Sequence, residues 1–178
     1  MIQISTFQSD ITPPIGHPLC AGWYPPAKAI EHPLAALGLI LVPDGELPIV
    51  LCALDWAELS NHEYNRWRQE LAAAINTQAD RVAVHCIHAH DTPWPDREAQ
   101  DILDSYGCTN IIMSDTWAEQ VRTQAATAAH NAMKKLQPCT TISTGTAKVD
   151  RIASNRRVMG KDGTVAAVRW TKTADPAV

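Results

Sequence analysis

Two apolar runs, residues 37–42 and 49–54, are separated by Pro43-Asp44-Gly45. Proline presets φ for a turn and glycine accepts φ > 0, so the chain reverses there and the two runs form a β-hairpin. Residues 2–8 roughly alternate apolar and polar before Asp10-Ile11-Thr12-Pro13-Pro14, which predicts a short strand ended by prolines. Residues 14–34 hold Pro14, Pro18, Pro25, Pro26 and Pro33 with Gly16 and Gly22, a pattern for a long loop over the surface or over a site.

Beyond the hairpin, Ser60 with Glu63 fits a capping box, and Tyr64, Trp67, Leu71, Ala74 and Ile75 recur at helical spacing, so a helix runs to about residue 77. Residues 81–88 predict a strand and 96–106 a short helix. Ser114-Asp115-Thr116 opens the clearest helix, with Thr116 and Glu119 as a second capping box. Its stripe is Trp117, Val121, Ala125, Ala128, Ala132 and Leu136, and Pro138 follows its end. Residues 140–149 predict a strand, and Gly160-Lys161-Asp162-Gly163 a turn with residues 165–170 as its return strand. This order is that of an α/β or α+β chain: a mixed β-sheet flanked by helices, in one domain over residues 1–178. With 178 residues the chain is shorter than the roughly 250 that a (β/α)₈ barrel takes.

Composition narrows the function classes. At 46% apolar and 19% charged residues the chain is globular rather than disordered. Net charge is −4 and the 15 Lys+Arg are scattered, which argues against nucleic acid or an anionic membrane as partner. Five cysteines without a CxxC pair indicate neither a disulfide framework nor a zinc ribbon; Cys52 and Cys86 read as small core residues. No run reaches the ~18 apolar residues of a transmembrane segment. The N-terminus lacks the basic region, apolar core and cleavage site of a signal peptide, so the chain as given reads as cytoplasmic, or as secreted if a leader was removed.

The chemistry-bearing stretch is residues 81–93, RVAVHCIHAHDTP. If the strand's alternation continues, Val82, Val84, Cys86, His88 and His90 share one face, and His85 faces the other way. His88 and His90 then lie side by side at a strand end, where α/β proteins place ligands. Neutral imidazoles suit Zn²⁺: both can converge on one ion, or one can ligate while the other does catalytic work. The alternative is a pair of hydrogen-bonded histidines at a sheet rim. Asp55 ends the preceding strand in the same manner and stands either near that cavity or as a cap carboxylate. Asn155-Arg156 follows the long predicted strand, where a guanidinium offers a planar fork to a substrate oxygen or sits in a solvated turn. Trp23 and Tyr24 either line a pocket or pack the proline-rich loop down.

In this order the motifs resemble the neutral/alkaline, non-lysosomal ceramidase-like family. Ser9-Asp10-Ile11-Thr12-Pro13-Pro14 resembles its ADITPP-type opening, Gly22-Trp23-Tyr24 its loop with a GY pair, and Asp55-Trp56 its DL-type dipeptide. Ile87-His88-Ala89-His90-Asp91-Thr92-Pro93 stands where that family has THTHSGP, and Ala153-Ser154-Asn155-Arg156-Arg157 where it has an INRSP-like element. Asp91-Thr92 in place of Ser-Gly, and Arg157 in place of Ser, mark a divergent branch.

The resemblance implies an α/β domain forming the N-terminal part of a zinc-dependent amidase-type hydrolase of an N-acyl substrate. It implies His88 as a zinc ligand, His90 as the residue that assists catalysis, and Arg156 near the substrate. Asn155, Asp55, Trp23 and Tyr24 are then expected on the substrate side. It places the remaining zinc ligands, a His, a Glu and a Tyr, beyond Val178, so low zinc occupancy and only part of an active site are expected in this chain. An apolar sheet patch favouring self-association follows from the same expectation. Two other readings stand beside it: a non-catalytic remnant that binds a ligand or partner, and another HxH metal-dependent hydrolase of amidohydrolase or phosphoesterase type.

Overall fold

Strand β1 (Ile2–Asp10) pairs antiparallel along its whole length with β2 (Ala35–Pro43), and β2 pairs antiparallel with β3 (Ile49–Leu54). The β2–β3 connection is the turn expected from Pro43-Asp44-Gly45: Gly45 has φ +73°, and the Glu46 N–H donates to the Pro43 carbonyl at 3.2 Å. After helix α1 (Asn61–Ala74) the chain re-enters the sheet as β4 (Val82–Cys86), parallel to β3. Helices α2 (Arg97–Ser105) and α3 (Asp115–Ala132) follow, and the short β5 (Gln137–Cys139) closes on the far edge of β1. The result is a mixed five-stranded sheet in the order β4-β3-β2-β1-β5. The computed structural model describes residues 1–150 and 156–169, which fall into two compact units, Met1–Thr141 and Ile142–Val178. In the second unit, β6 (Arg157–Met159) and β7 (Val165–Val168) form the expected hairpin around Gly160–Gly163.

Helices α1 and α3 pack on each other and on one face of the sheet. The alternation of β-strand side chains sends Ile40, Val50, Cys52, Leu54, Val82 and Val84 into that layer, all buried. Phe7 lies across Gly38, its register partner: a Cβ on Gly38 would stand 1.9 Å from the ring. Most of the helix stripe read from the sequence is buried, Trp117, Val121, Ala125 and Ala132, with Ala129 joining them; Ala128 is half-buried, and Leu136 lies beyond the helix end. At one end of this core three indoles meet, Trp56 to Trp67 at 5.5 Å and Trp56 to Trp117 at 5.3 Å between ring centroids. The Trp56 and Trp117 N–H groups donate to the carbonyls of Ile11 and Thr12, so two of the three polar edges are satisfied where they are buried.

Three local expectations change. Ser60 is the N-cap of α1, but its hydroxyl donates to the Pro95 carbonyl at 3.0 Å, and Glu63 turns inward to Arg122 of α3 at 2.5 Å, so the capping box does not form. The cap of α3 is Ser114, one of the three candidates, but without a side-chain cap bond, so the Thr116–Glu119 box does not cap it; Asp96 does cap α2, accepting from the Ala99 N–H at 3.0 Å. Residues 140–149 form no strand: they have no partner strand among the described residues, and β-propensity without a neighbour to pack on does not make one.

Candidate functional site

Parallel strands β3 and β4 end side by side, and the Ile87 N–H donates to the Leu54 carbonyl at 3.1 Å just past β4. From β3 the chain enters residues 55–60; from β4 it enters residues 87–96. The two segments are stitched together by the Ala57 N–H on the Pro93 carbonyl (3.0 Å) and the Ser60 N–H on the Pro95 carbonyl (3.3 Å). The proline-rich segment joins them through the Cys20 N–H on the Thr92 carbonyl at 2.9 Å. Three loops thus meet over the carboxyl ends of two parallel strands, the crevice where open α/β sheets bind ligands.

His88 is not carried there by strand alternation. Strand β4 stops at Cys86, and His88 and Asp91 have φ of +62° and +59°. Non-glycine residues seldom occupy this region, and they concentrate at sites where surrounding contacts over-determine the backbone. One such contact is plain: His88 Nδ1 lies 2.8 Å from the Ala57 carbonyl oxygen. A carbonyl only accepts, so in the neutral ring Nδ1 carries the proton and Nε2 keeps its lone pair. A ring N–H held by a backbone carbonyl is what orients metal-ligating histidines, and it equally suits a general base. The His90 ring stands edge-on to it, with centroids 5.2 Å apart.

The two rings line adjoining depressions. His88 faces a smaller one of about 270 Å³, with Glu58, Tyr64, His85 and Cys86. Burial, with Glu58 as a second cause, pushes the Cys86 thiol up to about 12, so it stays protonated there. His90 faces a larger one of about 590 Å³, whose other wall is Leu19, Pro25, Pro26, Ile30 and Leu34. The same proline-rich segment adds Lys28, Glu31 and His32, so this wall mixes apolar and charged side chains, and the segment lies over a site as well as over the surface.

The other candidates divide. Trp23, 79% exposed, packs against Trp94 of the histidine loop with centroids 5.8 Å apart and planes tilted by 56°, and Tyr24 bridges back to Leu19. Asp55 sits at the same sheet edge, but its Oδ2 accepts the Ala35 N–H at 2.9 Å while its own N–H donates to the Ala35 carbonyl, so this carboxylate clamps the start of β2. Arg156 is an exposed residue of the second unit, and Asn155 lies outside the described residues. Glu58 went unread at the sequence level, and His85, expected to face away from His88, lines the same depression as His88. Glu58 follows β3 by a few residues at the edge where Asp55 was noticed, a signal of the same kind; the Ala57 carbonyl has no sequence signal at all.

Zinc in a hydrolytic centre typically takes three protein ligands and a water. Among the described residues no three His, Cys, Asp or Glu side chains come together as such a group. One oriented imidazole with a second beside it does not by itself fit a complete zinc centre.

No family model and no curated protein matches the sequence. Solved structures do match the fold. Neutral ceramidase from Pseudomonas aeruginosa aligns with 77% of this chain at 12% identity and a TM-score of 0.59. A ceramidase complexed with C2 aligns with 77% at 11% identity and a TM-score of 0.58. In both, the aligned part is 22% of the ceramidase chain, so this chain spans about a fifth of the length of the proteins it resembles. At such identities the likeness is one of architecture, and over most of its length this chain has a ceramidase-like fold.

Proposed function

We propose that the chain contributes the histidine-bearing half of a ceramidase-type, zinc-dependent amide hydrolase site, acting on a small N-acyl substrate. In this reading His88 offers Nε2 as one zinc ligand, and further donors come from outside the described residues. When bound, zinc would lower the pKa of a water and polarise the scissile carbonyl. His90 holds or moves a proton at the reacting oxygen; a substrate role for Arg156 and Asn155 rests on the motif resemblance alone. Leu19, Pro25, Pro26 and Ile30 of the wall facing His90 take the acyl chain, and Trp23 and Tyr24 stand on the substrate side.

The observation that carries this reading is the 2.8 Å contact from His88 Nδ1 to the Ala57 carbonyl, which leaves Nε2 as the acceptor at the loop cluster. The test is zinc retention after dialysis, beside binding and hydrolysis of an N-acyl amine of medium chain length. Weak zinc retention that falls further in His88→Ala is expected, with ligand affinity about tenfold lower in His90→Ala, a loss of ~1.4 kcal/mol. Zinc and ligand binding both untouched by the two substitutions would overturn it.

Ligand binding without turnover is the second reading, favoured by the lack of a three-donor group among the described residues. Amide hydrolysis that disappears with His90→Ala would set this one aside.

A further inference from the structure

The loop that carries His90 is tied at both ends to one residue. The Ala57 carbonyl accepts from His88 Nδ1 at 2.8 Å, and the Ala57 N–H donates to the Pro93 carbonyl at 3.0 Å. Between those two ties, no backbone N–H from His88 to Thr92 donates to a backbone carbonyl among the described residues. Neither a strand nor a turn bond therefore holds the exposed His90. One hydrogen bond does span it: Thr92 Oγ1 donates to the Ala89 carbonyl at 2.6 Å, across His90 and Asp91. A side-chain hydroxyl here does the work of a missing backbone turn bond, at the short end of the O–H···O range.

We propose that Thr92 is a positioning residue of the candidate site: its hydroxyl, through the Ala89 carbonyl, sets the bend that holds the His90 ring against the His88 ring, 5.2 Å between centroids. Thr92 suits the task. It is 4% exposed, so water competes little for its hydroxyl. Its β-branched side chain is stiff at χ1, and Pro93 after it keeps its backbone out of the helical region. Its carbonyl accepts the Cys20 N–H at 2.9 Å, so the same residue ties down the proline-rich segment, and it lines the depression that His90 faces. Thr92 stands where the resembled family has glycine, which carries no hydroxyl to make this bond. The inference rests on the reading of His90 as the group that handles a proton and adds the residue that places it. Such a group works only when neighbouring contacts lock its geometry.

NMR of the histidine rings tests it, with the 178-residue chain labelled at histidine. Thr92→Val keeps the side-chain shape and removes the hydroxyl; Thr92→Ser keeps the hydroxyl. A nuclear Overhauser contact between the His88 and His90 rings is expected in the parent chain and in Thr92→Ser, and its loss in Thr92→Val. The resonances of His17, which packs on Trp117 in the core, should stay in place in both variants. Zinc retention, which the His88–Ala57 bond serves, should not change in Thr92→Val, while affinity for N-octanoylpropylamine should fall about tenfold, as for His90→Ala. A ring contact that survives in Thr92→Val, or that Thr92→Ser loses as fully, would overturn the proposal. So would a loss in Thr92→Val that extends to the His17 resonances, since the hydroxyl would then hold the fold at large. Loss of the ring contact in Thr92→Val with amide affinity untouched in both Thr92→Val and His90→Ala would uphold the placement of His90 by Thr92 and set aside the hydrolase reading instead.

Discussion

The His90 ring stands edge-on to the His88 ring, 5.2 Å between centroids and 83° between planes. The two are neighbours because the chain bends at His88, not because a strand alternates. The bend costs backbone energy: a left-handed residue other than glycine is roughly 1–2 kcal/mol less favourable than a right-handed one.

This sets up the first prediction. His88→Ala keeps the unfavourable φ and loses the hydrogen bond to Ala57, so it should lower stability by about 1–2 kcal/mol. His88→Gly loses the same bond but relieves the backbone, so it should be more stable than His88→Ala by about 1 kcal/mol. Both lose the imidazole. Urea denaturation of the two variants would read the difference; equal midpoints would mean that the φ of +62° is not strained in this setting.

Phe7 over Gly38 makes the second. The ring is buried and edge-locked by the sheet, so it cannot swing aside as a flexible side chain would. Gly38→Ala should cost on the order of 1–3 kcal/mol, the range for overpacking a tight core. Combined with Phe7→Leu, the alanine should cost less than it does alone, because the clash and the ring are the same contact. Additive losses in the double mutant would show that the strain lies elsewhere.

The third concerns Arg122. Its guanidinium is 2% exposed and reaches Glu63 at 2.5 Å and Glu70 at 2.8 Å. Arg122→Ala leaves the Glu63 carboxylate buried without its partner, and breaking a buried pair this way costs about 3–5 kcal/mol. Replacing both members, Arg122→Met with Glu63→Leu, should recover most of that loss. Chemical denaturation separates the cases, and a single mutant within 1 kcal/mol of the parent, well under the ~3 kcal/mol expected of a broken buried pair, would contradict the assignment.

What was legible in the sequence follows where local chemistry decided the outcome. Pro43-Asp44-Gly45 turns the chain, and the apolar runs on either side pair with each other across it. Residues 114–132 announced a helix by spacing and caps. The loop cluster was legible in part: a strand followed by HAHD marks the segment that leaves the end of β4. The bend at His88 was not, because it is held by a backbone carbonyl 31 residues away. Glu63 shows the same limit from another side. Its position three residues after Ser60 satisfies a capping rule, but a buried arginine on α3 competes for the carboxylate and wins. The predicted strand over residues 140–149 had the composition of a strand but has no partner strand among the described residues.

The last prediction concerns pH. His17 is buried against Trp117, with ring centroids 4.3 Å apart. Its Nδ1 lies 2.7 Å from the Pro18 carbonyl, and its Nε2 accepts the Ser114 N–H at 3.3 Å. Nδ1 must therefore carry the hydrogen, and the ring is neutral. Burial holds its pKa below the ordinary histidine value, against a smaller opposing effect of the Pro18 hydrogen bond. Protonating Nε2 would also break the bond to Ser114 and place a cation at the positive end of α3. Above about pH 6.5 both folded and unfolded chains hold His17 neutral and it adds no pH dependence. Below that value the unfolded chain takes up a proton that the folded chain refuses, so stability falls as pH drops, until the lowered folded pKa is passed. The slope from one such group is at most about 1.4 kcal/mol per pH unit. Urea unfolding between pH 7.5 and 4.5 should show this decline in the parent chain. His17→Gln, which cannot titrate, should show a shallower one whatever its stability at neutral pH. Parallel pH profiles for the two would place the acid sensitivity in other groups.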